Sequence, residues 1–128
     1  MKLLLDTHVW LWALHTPSRL NPRVRAELIN PGNELWLSPV STWEALLLNA
    51  RGRIRLPVNV TEWLSQATAP LREAPFTHEI VLAAQQLPLP HRNPASRFVA
   101  ATAQIMDLTL VTSNDNLLGM GTIRTMKN

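Results

Sequence analysis

MKLLLDTHVWLWAL, residues 1–14, sets three leucines, Leu3 to Leu5, directly before Asp6 and Thr7. An aliphatic run with no polar alternation reads as a strand covered on both faces. The pattern recurs twice. LWLSPVSTWEALLL, residues 35–48, carries Ser38, Ser41 and Glu44 just past its apolar start. LTLVTSND, residues 108–115, ends in Thr112, Ser113, Asn114 and Asp115. In open parallel sheets, ligands collect outside the carboxyl ends of the strands. Three oxygen-rich strand ends therefore predict one polar site built from distant segments, suited to a hard cation or a phosphate.

The segments between these runs read as helices. Asn21-Pro22 and Ser38-Pro39 each pair a capping side chain with a proline suited to the first helical position. Asn59 and Glu62 stand at capping-box spacing, and Thr77 caps a helix through about Gln86. A helix is predicted over Ser96–Asp107, where alanines permit close approach to a sheet. Short strands are predicted at Leu71–Ala74 and Leu108–Val111, with Ile123 in a last one. Strands alternating with helices predict an α/β chain: a three-layer α/β/α sandwich around a small central parallel sheet.

A chain of 128 residues fits a single domain spanning 1–128. It has no cysteine, which excludes disulfides and thiolate metal sites. No apolar run is long enough to cross a bilayer. MKLLL is too short for a signal segment, so a cytoplasmic protein with no membrane partner is expected. Ten of the twelve basic residues are arginine. The planar guanidinium fork suits phosphate and carboxylate, which favours an anionic partner. Arg51, Arg53 and Arg55 alternate in ARGRIRLP and would share one side of an extended segment, able to track a phosphate backbone.

Taken together, LLLDTHVWLWAL, LSPVSTWEALLLNARGRIRLP and LPLPHRNPASRFVAATAQIMDLTLVTSND resemble the PIN domain, specifically the VapC-type toxin of bacterial toxin–antitoxin pairs. The resemblance covers nearly the whole chain. It implies a metal-dependent endoribonuclease that hydrolyses RNA with Mg²⁺ or Mn²⁺ held by three or four acids. It further implies a homodimer neutralised by a cognate small antitoxin. Asp6 and Glu44 would be the first two acids, with Thr7, Ser38, Ser41 and Thr112 as hydroxyl neighbours. Asn93, and Asp115 in place of Asn114, would complete the metal shell, and Ser96 and Asn114 hold catalytic motif positions. Arg92 joins Arg51, Arg53 and Arg55 as a candidate RNA contact. Arg97 would bind phosphate or pair with Glu44, the pair being favoured.

The departures from the pattern bear directly on the chemistry. The third motif, H-x-D-P-x-D-R in the family, is here His91-Arg92-Asn93-Pro94-Ala95-Ser96-Arg97. The fourth, T-x-D, is Thr112-Ser113-Asn114. Each lost carboxylate removes about 4 kcal/mol of attraction per unit charge pair, for a separation of roughly 4 Å and an effective dielectric of about 20. Metal is therefore expected to be weakly bound or absent in the free protein. Three readings stay open: a degenerate member, an engineered inactive one, or an active one in which Asp115 serves. In the first two, the chain is a non-catalytic RNA- or partner-binding module. Among the tryptophans, Trp10 and Trp36 are assigned to the core. Trp12, Trp43 and Trp63 are candidates for a partner groove, although core burial is the simpler reading of each.

Overall fold

Leu3, Leu4 and Leu5 have no polar face to turn to water, so they need an apolar layer on each side. The computed structural model describes residues 1–89 and 93–128. In it Lys2–Leu5 is strand β1. Leu3 and Leu5 enter one core and Leu4 the other, as side chains alternating across a strand must. β1 pairs in parallel with β2 (Glu34–Leu37) on one side and β4 (Thr109–Thr112) on the other. β3 (Arg72–Glu73) lies outside β2, and β5 (Arg124–Lys127) lies outside β4. The sheet order is β3-β2-β1-β4-β5, parallel throughout.

Helices cover both faces. Val9, Trp10, Val24 and Ala67, from α1 (Thr7–His15), α2 (Pro22–Ile29) and α4 (Val60–Thr68), pack against Leu3, Leu5 and Val111. Ile80, Val99, Ala100 and Leu117, from α5 (His78–Gln86), α6 (Pro94–Met106) and α7 (Asp115–Leu118), pack against Leu4 and Leu110. α3 (Pro39–Ala50) serves both cores, through Val40 in one and Ala45 in the other. The three-layer sandwich with its parallel sheet is thus the observed architecture.

The capping residues act as their chemistry predicts. Asn21, Ser38, Asn59 and Thr77 each accept a hydrogen bond from a backbone N–H in the first turn of the helix that follows. The boundaries differ in four places, one being the strand expected over Leu108–Val111, which lies one residue later at Thr109–Thr112. α6 begins at Pro94, with Asn93 as its cap, because proline fits the first helical position and Asn93 can satisfy a free N–H there. The strand expected over Leu71–Ala74 shortens to the edge pair Arg72–Glu73. Ile123 falls one residue before β5.

The chain winds outward from β1 through β2 to β3, then returns past β1 to build β4 and β5. Connections therefore leave the carboxyl ends of β1 and β4 in opposite directions. That divergence opens the crevice in which parallel sheets bind ligands. Among the described residues, no helix is long and apolar enough to cross a membrane.

Candidate functional site

Asp6 and Thr112 end the two strands at this divergence. Thr112 Oγ1 donates to Asp6 Oδ2 at 2.6 Å, across 106 residues of sequence. Asp6 Oδ1 accepts from the Thr7 N–H at 3.0 Å, so the carboxylate also caps α1. Thr112 Oγ1 in turn accepts from the Asn114 N–H at 3.0 Å. Both carboxylate oxygens are thereby fixed by neighbouring donors.

A second link runs from α1 to α3. Thr7 Oγ1 donates to Ser41 Oγ at 3.0 Å, both residues being fully buried. Ser38 Oγ accepts from the Val40 N–H and starts α3. Glu44 lies three residues after Ser41, on the same side of the helix. The Thr7–Ser41 bond therefore ties the helix carrying Glu44 to the residue beside Asp6.

Glu44 opens onto a groove of about 670 Å³. Asn93 and Pro94 form part of its wall, with Trp12 and Trp43 as aromatic lining and Arg19, Arg51 and Arg53 as cations. Asp6, Ser96 and Asn114 do not line it. Arg51 stands seven residues after Glu44 on α3, about 10 Å further along at the helical rise. The helix ends there in a Schellman turn. Gly52 takes φ +71, Gly52 N donates to the Asn49 carbonyl and Arg53 N donates to the Leu48 carbonyl. This turn corrects the expected extended segment. It sets Arg51 and Arg53 on the groove and leaves Arg55 exposed outside its lining.

Arg97 requires a larger correction, since it neither pairs with Glu44 nor presents itself to a phosphate. It is only 8% exposed. Its guanidinium donates to the carbonyls of Ala84 at 2.7 Å, Leu87 at 2.8 Å and Leu89. It thus adds a charged donor at the carboxyl end of α5, where the helix dipole favours a cation and the Ala84 and Leu87 carbonyls otherwise accept only from the N–H groups of Leu87 and Leu89. His91 and Arg92 lie outside the described residues.

The neutral motif positions have visible structural work. Asn93 Oδ1 accepts from the Ser96 N–H at 3.3 Å and caps α6. Asn114 Oδ1 accepts from the Asn116 N–H at 3.0 Å and caps α7. Asparagine caps a helix about as well as aspartate, so the fold tolerates loss of the charge. Ser96 is half-buried in the first turn of α6, and Asp115 is exposed in the first turn of α7.

This donor set does not fit a tightly held divalent cation. Among the described residues, no three of His, Asp or Glu converge closely enough to hold one. Over its whole length the groove presents three guanidinium groups against one carboxylate, a balance that favours an anion.

Of the tryptophans, Trp10 is buried and Trp36 is packed against the core that holds Leu4. Trp63 packs beside Trp10 with ring centroids 5.6 Å apart. That assigns it to the core rather than to a partner groove. Trp43 is 55% exposed. Arg19 was missed by the sequence reading. Its guanidinium stands over the Trp12 ring at 5.4 Å, and no local motif marks that pairing.

The PIN domain family model matches residues 3–121. Ribonuclease VapC22 of Mycobacterium tuberculosis is 32% identical over 116 residues, covering 90% of this chain and 88% of the relative. Among solved structures, the DNA-bound VapBC of Salmonella typhimurium aligns with TM-score 0.72 at 16% identity, over 99% of this chain and 98% of that one. The promoter-bound VapBC2 of Rickettsia felis aligns with TM-score 0.71 at 15% identity, over 100% and 99%. FitAcB of Neisseria gonorrhoeae aligns with TM-score 0.69 at 22% identity, over 97% and 96%.

Proposed function

The chain belongs to the PIN-domain family, in its VapC-type branch, and we propose that it engages RNA along the Glu44 groove with little hydrolytic power of its own. The observation that carries this reading is the groove itself: Arg19, Arg51 and Arg53 beside Trp12 and Trp43, with a single carboxylate among them. Guanidinium groups neutralise phosphates, and indole rings stack on bases. Hydrolysis of a phosphodiester also needs a nucleophilic water activated by a base or a metal. The positions that the family fills with acids hold Asn93, Ser96 and Asn114, which can do neither at neutral pH.

A labelled RNA incubated with the protein and Mg²⁺ or Mn²⁺ should be bound yet remain largely intact on a denaturing gel. Efficient cleavage that is lost on Asp115→Asn would replace this reading with an active, rearranged site.

The partner in the cell is a small antitoxin, as in the VapBC pairs that share the fold. A second copy of the chain is the other partner. Phe76, Val81 and Leu82 are 44%, 41% and 67% exposed, and Phe76 meets Phe98 edge-on at 5.0 Å. These residues sit just before α5, on α5 and on α6, and give the molecule an apolar face that a two-fold contact would cover. Light scattering at micromolar concentration should give about twice the 14.4 kDa chain mass. Leu82→Asp should return the protein to the monomer mass. A wild-type protein that stays monomeric at high concentration would remove the dimer.

A further inference from the structure

We propose that the groove holds an unpaired stretch of RNA without a bridging divalent cation, through direct guanidinium–phosphate contacts and stacking on the exposed Trp43 indole. The inference rests on the RNA reading above and adds how the strand is held. Three observations carry it. First, the cations of the groove are available. Among the described residues the side-chain ion pairs are Arg72–Glu34 and Arg124–Asp107, so Arg19, Arg51 and Arg53 are not neutralised by a carboxylate. Second, their placement is built. Arg51 and Arg53 bracket the Schellman turn at Gly52, and Asn49 Oδ1 accepts from the Leu56 N–H and fixes where the chain leaves that turn. Arg19 is held over the Trp12 ring. Third, Trp43 offers a large indole surface at the groove edge, directly beside Glu44 in sequence.

Across the groove as a whole, a divalent cation would meet three positive groups and one negative group. A phosphate faces the same groups with the opposite sign. The groove thus supplies by arginine the charge that a metal would otherwise bring to the RNA backbone. Trp43 selects for unpaired nucleotides, because a base face is free to stack only outside a duplex.

The test is fluorescence anisotropy with a labelled single-stranded RNA of about a dozen nucleotides and its duplex, each in EDTA and in Mg²⁺. Single-stranded affinity should agree within about threefold between the two conditions and exceed duplex affinity. Three phosphate contacts should give a slope of about −2 for log affinity against log salt. Arg51→Gln with Arg53→Gln should flatten that slope by about 1.4 and weaken binding roughly tenfold at low salt. Trp43→Ala should weaken single-strand binding about tenfold with the slope unchanged. Arg124→Gln, at the opposite end of the sheet, should change neither; circular dichroism checks that all variants are folded.

Binding seen only with Mg²⁺ would overturn the cation-free mode while leaving the RNA reading intact. Equal affinity for duplex, or no response to Trp43→Ala, would overturn the stacking. If no RNA binds in either condition but an acidic polyglutamate peptide does, the groove is a protein-docking surface and both readings fall.

Discussion

Ser96→Asp combined with Asn114→Asp is expected to give metal-dependent RNA cleavage where the unaltered chain is expected to give little. Both positions are at helix N-termini, Ser96 in the first turn of α6 and Asn114 at the cap of α7. An aspartate is favourable at either, because the first N–H groups and the helix dipole stabilise an anion. Fold stability should therefore change by less than about 1 kcal/mol. The new charges come at two helix starts, α7 following directly on the strand whose Thr112 holds Asp6. Each carboxylate added near a dication contributes attraction of several kcal/mol before desolvation, by the same Coulomb estimate of about 4 kcal/mol per unit charge pair. Calorimetric titration with Mn²⁺ should pass from weak or undetectable heats in the parent to a measurable site in the double variant. Adding Asp6→Ala should abolish both the heat and the cleavage. If restoring both acids yields neither, the strand-end site has diverged beyond its ligands and the chain is a binding module.

Arg97→Ala should be the most damaging single substitution outside the two apolar cores. It removes a cation that donates to three carbonyls at once, those of Ala84, Leu87 and Leu89. Hydrogen bonds from a charged donor are worth more than neutral ones, and without the guanidinium the Ala84 and Leu87 carbonyls keep only the N–H groups of Leu87 and Leu89. The expected loss is about 3 kcal/mol, or roughly 10 °C in Tm. Urea unfolding measures the first and calorimetry the second. Arg97→Lys should recover only part of the loss, since an ammonium is a compact point charge and cannot reproduce the planar fork. An Arg97→Ala protein as stable as the parent would mean that water satisfies those carbonyls, and the structural role given to Arg97 would fall.

The two kinds of information divide along the range of the interactions. Leu3–Leu5 announces a two-faced strand because nothing in it can face water. Asn21-Pro22, Ser38-Pro39 and Thr77 announce helix starts because a cap is decided within three or four residues. Such short-range features were legible, and with them the α/β class and the oxygen-rich strand ends. Arg97 was not legible. Its partners are backbone carbonyls, a chemistry that every residue shares, so no side chain upstream marks where the guanidinium goes. Nor was the groove around Glu44. Arg51 and Arg53 looked like neighbours on an extended segment until Gly52 at φ +71 reversed the chain.

By itself the sequence determined the layers, the helix starts and the loss of charge at Asn93, Ser96 and Asn114, because hydrophobic pattern, capping and ionisation are properties of local chemistry. Only the tertiary structure decided which strand ends meet. Asp6 reaches Thr112 because the sheet order places β4 beside β1, and that order is chosen by packing across the whole core rather than by any residue near either side chain.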